Sequence, residues 1–298
     1  MAKVQLLHNV KAGDEEHSHK DLIELIESKG FNCEYASVKE KGWDKFSDET
    51  DFLVVAGGDG TVRKVVDKLL QRRLIDKRFP LAVIPLGTAN NLAKTLGIKE
   101  STDLVVDSWK TSKKRPFDVG KIYGMEGKSF FIEAMGYGIF PYLIKRMKST
   151  DKNVPHTPEQ ELELALEELR NILSCYETCH CDIEIDGKDY SGNYLLVEIM
   201  NIRSIGPNLH LGPDVEIDDG VFDVVLLSEE HRSHFEDHLS DKVQGSQGNP
   251  ALTIVKGKRI KLKWEGADCH VDDERIEITE PGEIVIEIEQ GLIEFLVP

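Results

Sequence analysis

The chain has 298 residues, of which 40% are hydrophobic and 31% charged, and its formal net charge is −17 at pH 7. This length accommodates two domains of ordinary size with sizeable cores. The negative charge argues against nonspecific nucleic-acid binding, which uses basic surfaces. No apolar run approaches the roughly 20 residues that a membrane-spanning helix needs. The five cysteines, with no export signal before them, are typical of a reducing compartment, so we expect a cytoplasmic protein.

The first third of the chain alternates between strand and helix patterns. Short apolar runs predict strands at residues 4–9, 32–38, 52–56 and 81–87, and helical spacing predicts helices at about 17–29, 62–70 and 89–98. Alternation of this kind predicts a parallel sheet covered by helices, in which ligands bind at the carboxyl ends of the strands. The segments His8-Asn9, Gly57–Thr61 and Gly87–Asn90 all follow predicted strand ends. We therefore expect them to line one crevice.

From about residue 115 onward, short strands separated by turn signals replace this alternation. Asp186-Gly187 is typical of a two-residue hairpin turn, and the segment 129–138 is predicted to be one strand. One helix interrupts the strands; it begins after Thr157, the predicted N-cap, and has apolar residues along one face. The histidine-rich segment 231–238 is interpreted as solvated surface.

These patterns together predict two domains of different fold class. The first is an α/β domain with a parallel sheet and flanking helices, at residues 1–125, which we expect the last strand or strands, 285–298, to complete. The second is a mostly antiparallel β-sandwich at residues 126–284. An edge strand of such a sandwich could pair two chains into a homodimer.

Two glycine-rich turns carry the clearest chemical signal. In AGGDGT the glycines leave almost no side-chain bulk between a strand and a helix, whose positive end favours an anion. Asp59 would repel phosphate unless a cation or hydroxyl lies between them, although aspartate also forms tight turns by bonding its own backbone. The second turn, PLGTANN, adds Gly87, with Thr88 and Asn90 as neutral hydrogen-bond partners. Because Walker-type and dinucleotide-binding glycine motifs are absent, the two turns predict a nucleoside triphosphate site with Mg²⁺.

The pair of motifs GGDGT and PLGTANNLA resembles the catalytic domain of the diacylglycerol kinase family of bacterial soluble lipid kinases, which is related to sphingosine and ceramide kinases. Five further segments match that family in the same order, so the resemblance covers nearly the whole chain. They are residues 8–13, 117–120, 130–138, 211–227 and 269–278. The resemblance implies an ATP-dependent kinase that phosphorylates a lipid hydroxyl in the cleft between its two domains. Diacylglycerol, converted to phosphatidic acid, is the default acceptor.

The resemblance also implies roles for individual residues. ATP would be surrounded by Asn9, Ser37, Gly57, Gly58, Gly60, Thr61 and Thr88. Asp59 would act through Mg²⁺ on the transferring phosphate, while Asp272 and Glu274 would supply the base that takes the proton of the attacking hydroxyl. Such a base suits an alcohol of high pKa.

A second, structural cation is implied in the segment Glu216–Val221. Asp219 would hold this cation through its carboxylate, together with the backbone carbonyls of Glu216 and Val221. The alternative is an ordinary turn at this Asp-Gly sequence.

Two residues depart from the family pattern. Asn91 stands where the family usually has an aspartate, and a neutral amide cannot neutralise Mg²⁺. Asp273 replaces the glycine of the Asp-Gly-Glu segment, where we expect a positive φ that aspartate tolerates better than most residues. The alternatives are therefore a kinase for a sphingoid base, another lipid alcohol or NAD, a nucleotide-binding homologue without turnover, and a peripheral membrane-binding module.

Contact with a lipid acceptor would take place at a membrane surface, and would be peripheral and transient. Three basic clusters, at residues 110–115, 144–148 and 256–263, bear on this contact. We interpret them as solvated faces, and the alternative is a surface that touches anionic headgroups.

Overall fold

The computed structural model describes residues 1–12, 18–73, 76–99, 101–149, 157–244, 248, 250, 252–280 and 282–298. By contacts between residues, Met1–Phe117 and Gly291–Pro298 form one unit, and Asp118–Gln290 form another. We call them unit 1 and unit 2. The domain boundaries predicted from the sequence, near residues 125 and 285, stay a prediction.

Unit 1 consists of strands and helices that alternate along the chain. They are β1 (Lys3–His8), α1 (His19–Ser28), β2 (Asn32–Ser37), β3 (Phe52–Gly57), α2 (Asp59–Leu70), β4 (Leu81–Pro85), α3 (Asn91–Thr95) and α4 (Thr102–Ser108). The strands pair in parallel in the order β2-β1-β3-β4, which confirms the predicted α/β class. The sequence analysis missed α4, because only Val105 and Val106 are buried in this short helix and they show no helical period.

Unit 2 is dominated by short strands. The strands are β5 (Lys113–Tyr123), β6 (Phe130–Phe131), β7 (Ala134–Gly138), β8 (Cys179–Ile185), β9 (Lys188–Asp189), β10 (Gly192–Met200), β11 (Ser204–Ile205), β12 (Leu209–His210), β13 (Phe222–Ser228), β14 (Thr253–Gly257), β15 (Arg259–Trp264), β16 (Asp268–Val271), β17 (Glu274–Glu277) and β18 (Ile284–Val297). Two longer strands among them, β5 and β18, contribute residues to both units. Strand β10 pairs antiparallel with β7 and with β13, and β7 pairs antiparallel with β16. The mostly antiparallel class is confirmed, as is the hairpin turn at Asp186-Gly187, where φ is 48° and 82°.

In the part of unit 2 that the structure describes there are three α-helices, where the sequence predicted one helix. They are α5 (Ile139–Ser149), α6 (Pro158–Cys175) and α7 (Arg232–Val243). Helix α6 is the predicted one, and Thr157 caps it in a capping box with Gln160. Helix α5 was missed because it contains Pro141, which a helix tolerates in its first turn. Helix α7 includes most of the histidine-rich segment that was interpreted as solvated surface: His234 is exposed, as this interpretation requires, but His238 is buried.

The central strand β10 separates two apolar clusters. Leu196 and Met200 belong to the cluster that contains the buried residues of α5, α6 and α7. Val197 and Ile199 point to the opposite face and belong to the cluster around Trp264. This alternation is the period of two that a strand with both faces buried requires. In the ranges that the structure describes, no helix is long and apolar enough to cross a membrane.

Leu169 tests whether the apolar face of α6 is a core element, because its side chain is completely buried. We expect Leu169→Ala to lower the free energy of unfolding by about 2–5 kcal/mol, since the truncation leaves a cavity. Glu167→Ala, on the exposed face of the same helix, should change it by less than about 0.5 kcal/mol. Urea denaturation measures both values. Equal losses in the two variants would contradict the assignment.

Candidate active site

The carboxyl ends of the unit 1 strands lie level with one another. In the strand register His8 stands opposite both Ser37 and Ala56, and Gly57 stands opposite Pro85. The segments that follow these strands therefore begin at one edge of the sheet, which is the arrangement that the sequence analysis expected. Ser37 itself is buried, and its hydroxyl accepts a hydrogen bond from the amide of Lys39.

The first turn is joined to the residue after β1. Asn9 donates through its side-chain amide to the hydroxyl oxygen of Thr61 at 3.1 Å, and its backbone amide donates to the carbonyl of Ala56 at 2.9 Å. Thr61 is buried in the first turn of α2, directly after Gly60. The structure thus brings together Asn9, Thr61 and the GGDGT turn.

The two glycine-rich turns contact each other through their backbones. A Cβ atom on Gly87 would lie 2.5 Å from the Cα of Gly58 and 2.8 Å from the side-chain oxygen of Asn90. Asn90 adopts left-handed φ of 51° and both accepts from and donates to the backbone of Gly87, at 2.9 and 2.6 Å. Because the glycines carry no side chain, the two turns can pack closely against each other. Thr88, which follows Gly87, is exposed.

Asp59 joins the same two turns through its carboxylate. One oxygen accepts from the amide of Asn91 at 2.9 Å and the other from the amide of Leu92 at 3.1 Å. Asp59 therefore bonds the start of α3, where Asn91 is itself buried. Carboxylate oxygens are among the ligands that Mg²⁺ prefers. The residues present fit Mg²⁺ on this criterion.

The sequence analysis missed Lys94, a cation on α3. Partial burial lowers the pKa of its ammonium group, and the Asp59 carboxylate opposes this shift. Lys94 follows Asn90 by one helical turn, which is the signal that could have identified it as a candidate for anion contact.

At the predicted structural cation site, a lysine side chain of the protein itself lies beside the carboxylates. Lys256 places its ammonium nitrogen 3.1 Å from Asp223 and 3.5 Å from Asp219. Asp219 also accepts from the amide of Val221 at 3.2 Å, and the side chain of Glu216 pairs with Arg203 at 2.8 Å. Burial raises the pKa of Asp223, and the Lys256 ammonium counteracts this shift. A metal ion at Asp219 stays a prediction, and it would compete with Lys256.

Asp272 occupies the two-residue turn between β16 and β17 and is almost fully buried. One of its carboxylate oxygens accepts from the amides of Ile132, Glu133 and Ala134, at 3.1, 2.8 and 3.4 Å. These amides follow β6 and begin β7, so the predicted strand 129–138 is interrupted where it meets this carboxylate. The left-handed residue of the turn is Asp272, with φ of 52°, and not Asp273 as we expected.

Glu274 differs from Asp272 in its surroundings. It begins β17 with about half of its side chain exposed, and it forms an ion pair with Lys128 at 2.7 Å. The structure therefore provides one buried, backbone-held carboxylate and one exposed, cation-paired carboxylate in the Asp-Asp-Glu segment.

A buried pair behind Asp272 was also missed by the sequence analysis. Glu198 and His270 are almost completely inaccessible, and their carboxylate and imidazole groups are 3.0 Å apart. Burial raises the pKa of Glu198. Burial alone would lower the pKa of His270, but the Glu198 carboxylate together with the backbone and carboxylate of Asp272 raises that pKa. A glutamate inside the apolar run YLLVEIM was the available signal.

Acidic neighbours neutralise cations in all three basic clusters. The pairs are Lys110 with Asp107, Lys114 with Glu294, Arg146 with Glu168, Arg259 with Glu287 and Lys261 with Glu283. Exposed pairs of this kind contribute little stability, but they reduce the positive potential of each cluster.

A variant at Gly87 tests why this position requires glycine: for packing against the other turn, or for contact with a ligand. We expect Gly87→Ala to lower the free energy of unfolding by about 1–3 kcal/mol, because the new Cβ would press on the backbone of Gly58. Gly282→Ala is the matched control, since a Cβ there would meet nothing closer than 4.0 Å. Thermal unfolding without any ligand measures both. If Gly87→Ala leaves the free energy of unfolding unchanged, the turns do not depend on this packing.

Lys256→Met tests the predicted cation at Asp219. We expect this variant to unfold at a temperature a few degrees lower in EDTA, because two carboxylates lose their counter-charge, and to recover in millimolar Mg²⁺. Lys263→Met, an exposed lysine on β15, serves as the control. If Mg²⁺ does not restore the unfolding temperature of Lys256→Met, the assignment of Asp219 as a metal ligand is contradicted.

Comparisons with known proteins agree with this geometry. A family model described as the diacylglycerol kinase catalytic domain matches residues 3–122, and one described as the YegS C-terminal NAD kinase beta sandwich-like domain matches residues 147–289. A Bacillus subtilis (strain 168) protein named diacylglycerol kinase is 31% identical over 216 residues, which covers 72% of this chain and 67% of the relative.

Two solved structures share the fold. A crystal structure of a diacylglycerol kinase from Bacillus anthracis str. Sterne has a TM-score of 0.74 at 23% identity and covers 99% of this chain and 97% of its own. Yeast NADH kinase complexed with NADH has a TM-score of 0.51 at 11% identity and covers 100% of this chain and 84% of its own. The family model matched at residues 3–122 and the relative at 31% identity establish that the chain belongs to the diacylglycerol kinase catalytic-domain family.

Proposed function

We propose that this protein is a lipid kinase that transfers the γ-phosphoryl group of ATP, with Mg²⁺, to the hydroxyl of diacylglycerol. Family membership supports the reaction class, and the relative from Bacillus subtilis is named for this acceptor. The observation that carries the proposal is the joined pair of glycine-rich turns in unit 1. Asp59 and Gly58 connect the first turn to the second at the carboxyl edge of a parallel sheet.

The nucleotide side of the reaction belongs to unit 1. The residues around ATP are Asn9, Ser37, Gly57, Gly58, Gly60, Thr61, Thr88 and Asn90. Backbone amides in glycine-rich turns bind phosphate oxygens, and the start of α2 favours their negative charge. Asp59 would hold the Mg²⁺ ion through its carboxylate. When bound, Mg²⁺ neutralises charge on the phosphate oxygens.

The acceptor side of the reaction depends on Asp272. The three backbone amides that bind one of its oxygens hold the carboxylate in a fixed orientation. The carboxylate so held takes the proton of the lipid hydroxyl as that oxygen attacks the phosphorus and ADP leaves. Glu274, with Lys128 beside it, is the second carboxylate of this segment.

Access to the acceptor requires contact with a bilayer surface. We assign a peripheral and transient contact, because the chain carries a net charge of −17 and its basic clusters are paired with acids. Cations from solution would then reduce repulsion from an anionic surface. Pairing of two chains through an edge strand of unit 2 stays a prediction.

Transfer of radiolabel from ATP with Mg²⁺ tests the proposal. The acceptors are diacylglycerol, monoacylglycerol, sphingosine and ceramide in mixed micelles, with NAD as the soluble acceptor. We expect label in diacylglycerol, and we expect Asp272→Asn and Asp59→Asn each to reduce the rate by about 10²–10⁴-fold. Asp48→Asn, an exposed carboxylate in unit 1, should leave the rate unchanged.

Each other outcome contradicts a stated part of the proposal. Label in sphingosine, ceramide or monoacylglycerol would replace the acceptor, and label in NAD would replace the substrate class. ATP binding without transfer to any acceptor would identify a homologue without turnover, in which Asn91 and Asp273 are the departures to examine. An Asp272→Asn variant with full activity would remove Asp272 as the base.

A further inference from the structure

The pair Glu198–His270 is built across three neighbouring strands of unit 2. In the register Glu198 of β10 stands opposite Gly136 of β7, and Gly136 stands opposite His270 of β16. The outer two strands are therefore roughly 10 Å apart, twice the spacing of adjacent strands. Their side chains meet over the glycine, where a Cβ would overlap the Glu198 carboxylate. Only a glycine between them permits this contact.

The pair interrupts an apolar face. Glu198 shares its face of β10 with Leu196 and Met200, which belong to the cluster with the helices of unit 2. The ring of Phe140, from α5, lies edge-on to His270 at 6.3 Å between centroids. Replacing a buried ion pair of this kind by apolar groups is often neutral or stabilising. Stability alone therefore gives no reason for the pair.

The imidazole connects this pair to the backbone of Asp272. The Nδ1 atom of His270 lies 2.7 Å from the carbonyl oxygen of Asp272, and its Nε2 atom lies 3.0 Å from the Glu198 carboxylate. A carbonyl oxygen can only accept, so Nδ1 must carry a proton. One further proton, shared between Nε2 and Glu198, completes the chain of hydrogen bonds. Glu198 thereby fixes the orientation of the ring, and the ring holds the Asp272 carbonyl.

Asp272 needs such support because its backbone conformation is unfavourable. A left-handed conformation costs a non-glycine residue about 1–2 kcal/mol. Its amide donates to the carbonyl of Ala134 at 2.8 Å, its carbonyl accepts from His270, and its carboxylate accepts from three amides. Hydrogen bonds to both the backbone and the side chain of Asp272 thus hold the turn.

We propose that Glu198 and His270 are positioning residues that hold the turn of Asp272 so that its carboxylate faces the acceptor hydroxyl, a role that rests on the proposed kinase function. The two residues act through Asp272 and do not contact substrate themselves. The pKa of both groups is raised, which favours a proton shared between them. The other titratable group that acts on His270 is Asp272 itself.

An apolar double variant separates positioning from stability. We expect Glu198→Leu with His270→Phe to unfold at the wild-type temperature or above, because no buried charge is left unpaired. We expect its kcat to fall by about 10–100-fold, as for a small misplacement of a catalytic group, while its KM for ATP stays unchanged. Glu198→Gln should retain most of the activity, since an amide still bonds Nε2. His180→Phe, at a partly exposed histidine paired with Asp182, is the control.

Hydrogen exchange supplies a readout that does not depend on turnover. In the double variant the amides of Ile132 and Glu133, which bind the Asp272 carboxylate, should exchange faster than in the wild type. Wild-type kcat together with unchanged exchange in the double variant would overturn the proposal. If the wild type transfers no label to any acceptor, the proposed kinase function is wrong. Amide exchange in the double variant, compared with the wild type, still decides whether the pair holds the turn.

Discussion

Contact between two glycine-rich turns is the constraint on which unit 1 depends. Gly58 and Gly87 approach so closely that neither can carry a side chain without displacing the other. Asp59 then spans the contact and bonds the first amides of α3. These turns follow β3 and β4, whose ends are level because the two strands pair in register. A parallel sheet therefore supplies the alignment, and the glycines and Asp59 hold the two turns together at one edge of that sheet.

Unit 2 uses a glycine in a comparable way for a different purpose. Gly136 lets the side chains of Glu198 and His270 meet across the strand between them. The hydrogen bonds continue from this pair to the backbone of Asp272, whose carboxylate in turn binds the amides before β7. A buried acid–base pair, a left-handed turn and an interrupted strand are thus parts of one network. Each is unfavourable alone, and each satisfies the polar groups of the next.

Sequence patterns predicted the elements whose own residues define them. Strands β3 and β4 are uninterrupted apolar runs, and α6 has both a capping box and an apolar face. Helix α7 escaped prediction because only Phe235, His238 and Leu239 are buried in it and most of its other residues are polar or charged. Its first residue, Arg232, donates to the carbonyls of Leu173 and Tyr176 at the end of α6, so tertiary contacts supply what local pattern lacks.

The sequence by itself determined the fold class, the family and the two glycine-rich turns, because apolar periodicity and motif order are local properties of the chain. Only the tertiary structure decided what the charged residues contact. Asp59 bonds a helix 32 residues further along, Asp219 faces Lys256, and Asp272 binds amides about 140 residues earlier. Burial and hydrogen bonding of a carboxylate depend on strand register and on neighbours distant in sequence. No local pattern encodes those partners.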